Sequence, residues 1–389
     1  MKMHNHAHFQ KPHSSRRDFF RTLTGGTLAG ASILELAYYR AAWARALAPM
    51  RSTQLFDIQK AAEDVYFARA RAQAEINSNS AIFVNSTDVL VVDSHSKPSA
   101  AASLIAQIKK EVTSKPVRYV VNSHFHWDHT QGNHAYRIAE SKIDFIASEP
   151  TKQLMADLAQ VRLKESLAEV PKQIEMLRAR ASKSRSKEEK AFCEDQIRQL
   201  QSYQAELQNY ALELPTITFN KSHAIEDKAH DLRIEYRGHA HTAGDVVVFC
   251  PQKRVVATGD MIHGFLPFIS DGFPISWPKT IDSVAELGFT QVLPGHGPLH
   301  PNREPMTNMR NYIEELTEKV AAGKKAGKSI ADLQKTITVA SLKSMQANAY
   351  REYVTKNEYQ FEPHFGPAAP LQDGVNTNIV EVYKNIDRL

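Results

Sequence analysis

The chain has 389 residues, of which 42% are hydrophobic and 23% are charged, a composition that excludes fibrous, disordered and multi-span membrane classes. The formal net charge of +5 is carried by residues 1–48, where seven Lys and Arg residues stand against two acidic residues. The rest of the chain is near neutral and has no basic stripe with interleaved aromatic residues, which disfavours nucleic acid as the main ligand.

Residues 1–48 have the pattern of an export signal. The pair Arg16-Arg17 precedes a moderately apolar stretch at 23–39 and two overlapping A-x-A cleavage sites at 44–48. This order resembles a twin-arginine signal, with an uncleaved anchor or a chance arginine pair as the alternatives. Because glycines and a glutamate interrupt it, the stretch is shorter than the roughly 20 apolar residues that a spanning helix needs. The resemblance implies use of the twin-arginine export machinery, a periplasmic or otherwise exported location, and no stable membrane insertion after cleavage.

The part of the chain that follows reads as alternating strands and helices. Apolar runs predict a strand pair at 81–84 and 89–92, the spacing within 98–112 predicts a helix, and 117–121 predicts a buried strand. The segment His-Phe-His-Trp-Asp-His at 124–129 comes directly after that strand. Since ligands in α/β folds commonly bind beyond the carboxyl ends of strands, its position favours a functional site.

This H-x-H-x-D-H segment places four metal-binding side chains within six residues, namely His124, His126, Asp128 and His129. Imidazole nitrogens and carboxylate oxygens both suit a borderline ion such as Zn²⁺. Such a dense pattern favours a metal site over a solvated histidine cluster. The histidine tract at 4–8 lies in the export segment and is given no role in the site.

Three further segments follow in order, each beside an apolar strand. His241 lies in Gly-His-Ala-His-Thr-Ala-Gly-Asp, Asp260 in Ala-Thr-Gly-Asp, and His296 in Leu-Pro-Gly-His-Gly. Together with the H-x-H-x-D-H segment, they resemble the metallo-β-lactamase superfamily. The resemblance implies an α/β fold, a four-layer αββα sandwich, whose catalytic domain spans residues 53–304.

The resemblance also implies a ligand set for two metal ions. In that set His124, His126 and His241 bind the first metal, Asp128, His129 and His296 bind the second, and Asp260 bridges them. Two zinc ions per chain are expected, although iron and manganese accept the same donors. The HT-x-GD pattern selects His241 over His239, which is expected behind the ligands or at the rim.

The expected function is that of an exported dinuclear hydrolase that uses a metal-bound hydroxide to cleave a small carbonyl substrate. That substrate is a β-lactam, a lactone, an ester or a thioester. Asp128 is the best candidate for the general base, because it can orient the hydroxide and pass a proton to the leaving group. Asp260 stands where some β-lactamases of the superfamily have a cysteine, which favours the thioesterase and lactonase branches.

Two alternatives come from other functional classes. A di-iron redox member of the superfamily usually comes with a flavin or rubredoxin-like module, and neither is visible in the sequence. A non-catalytic metal-binding protein of the same fold is disfavoured by the full ligand set. A nuclease is disfavoured by the near-neutral charge.

Two segments exceed a minimal domain of this kind. Apolar positions three and four residues apart within 150–213 predict an inserted antiparallel helical hairpin with a turn at 182–190. The hairpin is interpreted as a cap over the site, an element for oligomerisation, or a solvated decoration. Residues 305–389 predict a helical C-terminal extension, with helices at 306–320, at 330–353 and near Asn376, and a structural histidine at His364.

The segment 265–277 is a loop rich in aromatic residues and proline, next to the predicted ligands. It is interpreted either as an apolar wall for the substrate or as a loop that packs Phe268 and Trp277 onto the core, with His263 at the mouth of the site. Cys193 and Cys250 are too few for a disulfide framework. They are expected to be inert thiols, with a single bridge as the alternative.

Overall fold

The computed structural model describes residues 55–71, 78–140, 142–208, 210–346, 348–358 and 371–388. The predicted export signal at 1–48 and the loop histidine His364 lie outside these residues. Within the described ranges, no helix combines the length and the apolar character needed to cross a membrane.

The first sheet contains seven described strands arranged side by side in chain order. Neighbouring strands among the first four run antiparallel. From the fourth strand onward, neighbouring strands run parallel. They are β1 (Phe56–Ala62), β2 (Val65–Ala70), β3 (Ser80–Val84), β4 (Val89–Val92), β5 (Val117–Val121), β6 (Asp144–Ser148) and β7 (Ile217–Phe219). Every residue of β4 is buried, because both faces of the sheet are covered.

Two short helices cover the outer face of this sheet: α1 (Pro98–Gln107), which continues as a π-helical turn at Ile108–Val112, and α3 (Asn133–Ala139). Between them in the chain, α2 (Trp127–Thr130) carries part of the histidine segment. Leu104, Ile105 and Ile108 belong to the buried cluster that also contains Val91 and Val120 of the sheet. The helix predicted at 98–112 is therefore present, with a wider last turn.

The inserted hairpin consists of α4 (Glu149–Lys183) and α5 (Lys187–Leu207), which pack on each other through their own buried cluster. Ser148 caps the start of α4 by accepting from the Thr151 N–H, and Ser186 caps α5 by accepting from the Glu189 N–H. The predicted turn at 182–190 is too long. Only residues 184–186 leave the helices, because the cap at Ser186 allows the second helix to begin at once.

The second sheet has the strand order β12-β11-β10-β9-β8. Its strands are β8 (Ser222–Ile225), β9 (Leu232–Tyr236), β10 (Val246–Cys250), β11 (Val255–His263) and β12 (Gln291–His296), with only β11 and β12 parallel. Apolar side chains of both sheets meet in one buried cluster, among them Phe67 and Leu90 from the first and Val248 and Leu293 from the second. This cluster forms the core of a β-sandwich.

Helices also cover the outer face of the second sheet: α6 (Trp277–Ala285), α7 (Glu304–Lys325), α8 (Ile330–Thr336), α9 (Lys343–Gln346), α10 (Asn348–Glu358) and α11 (Leu371–Asn385). The segment predicted as one helix at 330–353 is divided among α8, α9 and α10. The C-terminal helices share one buried cluster with the sheet, in which Val375 and Ile379 of α11 join Val247 and Val256. The predicted four-layer αββα sandwich, with its helical hairpin and C-terminal helices, is confirmed.

Candidate metal centre

Buried side chains from four separate parts of the chain meet at one place. The segment 124–129 follows β5, His241 precedes β10, Asp260 lies within β11, and His296 ends β12. The structure brings together all seven residues that the sequence predicted as metal ligands. They form a first group of His124, His126, His241 and Asp260, and a second group of Asp128, His129 and His296. Within each group the ligand atoms lie within 4.8 Å of one another.

The carboxylate of Asp260 lies between the two groups. Its Oδ2 atom is 3.8 Å from Nε2 of His124, 3.6 Å from Nε2 of His241 and 3.2 Å from Nε2 of His296. Its Oδ1 atom is 3.2 Å from Nε2 of His129. This is the place at which the sequence predicts a bridging carboxylate.

Two glycines make room for this arrangement. A Cβ atom on Gly295 would lie 2.0 Å from Oδ1 of Asp260. A Cβ atom on Gly259 would lie 2.1 Å from Oγ of Ser123, and the φ of Gly259 is +51°, a region that favours glycine. Strands β11 and β12 and the histidine segment can therefore approach one another closely only because these positions lack side chains.

A carboxylate behind the second group orients one of its histidines. His129 donates from Nδ1 to Oδ2 of Asp93 at 2.8 Å, while its Nε2 lies 3.3 Å from Oδ2 of Asp128. Nε2 of His296 lies 3.1 Å from the same Asp128 oxygen. Asp93 also accepts from the Ser123 N–H and Oγ, both at 2.8 Å. Asp93 was not among the predicted site residues, although its position directly after strand β4 is a sequence signal for such a role.

Each histidine of the first group likewise uses one ring nitrogen for a hydrogen bond and turns the other toward the centre. The pairs are His124 Nδ1 with Ser123 Oγ at 3.0 Å, His126 Nε2 with Asp271 Oδ2 at 2.8 Å, and His241 Nδ1 with the Phe268 carbonyl oxygen at 3.0 Å. A hydrogen bond at one ring nitrogen fixes the tautomer and leaves the other as a lone-pair donor.

The nitrogens that face inward have no protein partner suited to them. Nε2 of His124 is buried and has no hydrogen bond. Nδ1 of His126 lies 2.9 Å from Nε2 of His241, although each ring uses its other nitrogen as the donor. Two facing lone pairs repel each other, and a buried polar atom without a partner costs about 1–3 kcal/mol. A cation among these atoms removes both costs, so the residues present fit a metal ion.

The electrostatics of the first group and of Asp128 favour the metal-binding protonation states. Burial, together with neighbouring imidazoles, holds the pKa of His124 and His241 well below the ordinary range, so both rings are neutral at neutral pH. Burial alone would raise the pKa of Asp128 and Asp260, but the neighbouring histidines, His129 and His296 foremost, together outweigh it and hold both values well below the ordinary range. Neutral imidazole and ionised carboxylate are the forms that bind metals.

The second group attracts protons as well as cations. Burial opposes the charged form of His296, but Asp260 and Asp128 outweigh it and raise its pKa to about 9. The pKa of His129 is raised well above the ordinary range, since the same two carboxylates and Asp93 outweigh burial. A metal ion bound there displaces protons, so its affinity falls at acid pH.

Two other histidines lie near the centre. His263, expected at its mouth, is instead buried with Nε2 3.3 Å from Oδ2 of Asp260. His239 is half-buried and packs against Phe273 with ring centroids 4.4 Å apart and a tilt of 33° between the rings, outside both groups, as expected. Trp277 is fully buried and donates from Nε1 to the Met261 carbonyl at 3.0 Å, so this ring packs the loop onto the core. Its burial rules out the alternative of a substrate wall for Trp277.

The hairpin packs directly against the metal-binding segment. Trp127 of that segment meets Tyr203 of α5 edge to face, with ring centroids 5.6 Å apart. Glu206 of α5 accepts from the N–H and Oγ of Ser99 at 2.9 and 2.8 Å. The hairpin is therefore more than a solvated decoration, while its part in oligomerisation stays a prediction.

A small, mostly apolar cavity lies where the hairpin meets the metal-binding segment. It is lined by aromatic residues and by two polar ones, namely Phe125, Trp127, Tyr210, His126 and Arg162. The cavity places apolar surface beside a predicted ligand. Arg162 stands in a long charged helix, where no sequence signal singled it out.

Cysteines play no part in this centre. Cys193 lies in α5 and Cys250 in β10, and both are buried and free. The expectation of two separate thiols in a helix and a strand is confirmed, and the single-bridge alternative is wrong.

The comparison with protein families gives one match: the model described as the metallo-beta-lactamase superfamily matches residues 75–296, more than half of the chain. Similar solved structures include a metallo-beta-lactamase from Pontibacter korlensis, at 17% identity, 65% coverage of this chain, 97% coverage of that chain and a TM-score of 0.47. Another, from Erythrobacter litoralis, has 18% identity, 68% and 99% coverage and a TM-score of 0.48. A third, from Hirschia baltica, has 18% identity, 67% and 97% coverage and a TM-score of 0.47.

Proposed function

The chain belongs to the metallo-beta-lactamase superfamily, and from that premise we propose that it is an exported hydrolase with two metal ions that cleaves a small carbonyl substrate. The general assignment, a metal-dependent hydrolase, rests on the family and on the two His/Asp groups. Export, the number of ions and the substrate class are the further content of the proposal.

One observation supports the proposal above all others. Ser123, Asp271, Phe268 and Asp93 each accept a hydrogen bond from a ring nitrogen of a predicted ligand, and in every case the remaining nitrogen faces the centre. Outer hydrogen bonds of this kind are typical of metal-binding histidines. Histidines that only packed the core would not need their free ring nitrogens directed at one common point.

The chemistry follows from this donor set. Two divalent ions bound there would lower the pKa of a water molecule toward neutrality and polarise a substrate carbonyl. Asp128 is proposed as the general base, since its carboxylate is ionised, almost fully buried and placed against His129 and His296. It would take a proton from the attacking water and pass it to the leaving group.

The substrate is proposed to be a β-lactam, a lactone, an ester or a thioester. An aspartate rather than a cysteine at position 260 supports the thioesterase and lactonase branches. The arginine pair of the N-terminal segment supports export, with the twin-arginine machinery as the transient partner.

The test is elemental analysis of the purified protein together with hydrolysis assays on a β-lactam, a lactone and a thioester, with and without a chelator. We expect about two zinc ions per chain and cleavage that the chelator abolishes. Asp128→Asn, which keeps the shape of the side chain, should retain the fold and lose turnover. Bound iron without hydrolysis would favour the di-iron redox alternative, and a folded chain without metal would favour a protein that has lost catalysis.

A further inference from the structure

Two of the predicted ligands depend on one loop. We call residues 264–276, between β11 and α6, the acceptor loop. Its Asp271 carboxylate accepts from Nε2 of His126 at 2.8 Å, and its Phe268 carbonyl accepts from Nδ1 of His241 at 3.0 Å. The position of this loop therefore sets the ring orientation of both histidines.

The hairpin holds the acceptor loop from one side. Arg162 of α4 donates from Nη1 to Oδ2 of Asp271 at 2.7 Å and from Nη2 to Oδ1 at 2.9 Å. Its guanidinium also lies over the Phe125 ring, 4.8 Å from the centroid. A bidentate arginine–carboxylate pair fixes the orientation of the carboxylate as well as its distance from the guanidinium. Asp271 can therefore present Oδ2 to His126 in one orientation.

The C-terminal helix holds the loop from another side. The Ile269 N–H donates to Glu381 Oε2 of α11 at 3.0 Å. Asn385 of the same helix donates from Nδ2 to the carbonyls of Ile269 and Ser270 at 3.0 and 2.9 Å. Glu381 and Asn385 are both buried, so these bonds are shielded from water. Residues 269–270 lie directly between the two acceptors, Phe268 and Asp271.

The second group is oriented differently. His129 donates to Asp93 at the end of β4, and Asp93 is held by Ser123 after β5, so both supports belong to the sandwich. We propose that Arg162, Glu381 and Asn385 are positioning residues for the metal ion of the first group. The hairpin and the C-terminal helix thus act selectively on one of the two ions. This inference rests on the proposed metal binding.

The test measures zinc affinity one site at a time in the full chain, by competition with a chromophoric chelator. His296→Ala disables the second group and leaves the first, whereas His126→Ala disables the first and leaves the second. Arg162→Ala is then added to each. We expect zinc affinity to fall about 10- to 100-fold in the His296→Ala background, the usual cost of losing a support behind a metal ligand. No change is expected in the His126→Ala background.

A matched control comes from the same hairpin. Arg180 pairs with Glu189 at 2.9 Å within the hairpin, so Arg180→Ala removes an arginine without touching the loop and should leave zinc affinity unchanged in both backgrounds. Arg162→Lys should recover part of the lost zinc affinity, because lysine restores the positive charge but not the bidentate hydrogen bonding to Asp271. Asn385→Ala should act in the same direction as Arg162→Ala, and it replaces that variant in the test if Arg162→Ala does not fold.

Either of two results overturns the inference: equal loss of affinity in both backgrounds, or no loss in the His296→Ala background. A wild-type chain that binds no zinc overturns both this inference and the proposed function. A chain that binds zinc in the expected Arg162-dependent way but hydrolyses none of the substrates overturns the proposed function alone.

Discussion

Two carboxylates, Asp93 and Asp271, perform the same task in different surroundings. Each accepts a hydrogen bond of 2.8 Å from a histidine of the candidate centre, Asp93 from His129 and Asp271 from His126. Asp93 directly follows a core strand and is almost fully buried. The side chain of Asp271 is 19% exposed in a loop, and its partner Arg162 lies 109 residues away in the chain.

The difference shows that the centre has one half built into the sandwich and one half held by added elements. Changes near Asp93 act on the shared core, because Ser123 links Asp93 to His124 as well. Changes near Asp271 act on a loop that the hairpin and the C-terminal helix hold in place. The two halves should therefore respond differently to substitution.

The largest effect is expected where the halves meet. Gly295→Ala should abolish hydrolysis and reduce zinc binding in both groups, because its Cβ would lie 2.0 Å from the Asp260 oxygen and 2.7 Å from the carbonyl carbon of Gly259. Zinc content and turnover measure this. Gly288→Ala is the control, since a Cβ there meets nothing within 4 Å, although its φ of +80° disfavours alanine. Retention of both ions by Gly295→Ala would contradict the shared role of Asp260.

The second largest effect is expected from substitution of the two carboxylates, Asp93 and Asp271. Asp93→Asn keeps the size of the side chain but replaces an acceptor of His129 and Ser123 by an amide. We expect zinc affinity to fall about 10- to 100-fold in the second group and also to fall in the first, through Ser123 and His124. Asp271→Asn should weaken only the first group. Chelator competition, with one group disabled at a time, measures the zinc affinity of each group in both variants. If both variants weaken the two groups to the same extent, the proposed difference between the halves is wrong.

The smallest effect concerns the support of the acceptor loop and its pH dependence. Burial raises the pKa of Glu381 from an ordinary value of 4.5 to about 8. Because the folded-state pKa lies above the unfolded one, this group's contribution to stability is complete below pH 4.5 and is lost as the pH rises through 8. The unfolding free energy of the wild type should fall with pH by at most about 1.4 kcal/mol per unit relative to Glu381→Gln.

Denaturant unfolding of both proteins across that pH range measures this difference. The glutamine cannot ionise, so its curve serves as the reference for all other titrating groups. Parallel curves for the two proteins would mean that Glu381 titrates as it does in water, which would contradict the effect of its burial against the acceptor loop.

Local sequence determined the seven predicted ligands and most of the elements that carry them. Metal ligands are restricted to a few residue types, and their spacing after apolar strands is visible along the chain. Asp93 was within reach of the same reasoning, since it directly follows the buried run 89–92. The turn of the hairpin and the breaks within 330–353 were not, because end caps and packing, rather than apolar spacing, set where a helix stops.

Only the tertiary structure decided which groups stand behind the ligands. Asp271 lies in a loop whose sequence drew attention for its aromatic residues, and Arg162 is one of many charged residues on a long helix. Their pairing exists because the hairpin packs on Trp127 while α11 binds the loop through Glu381 and Asn385. Contacts between residues so distant in sequence depend on how whole helices and strands pack. Many apolar side chains together determine that packing, so no single sequence motif reveals it.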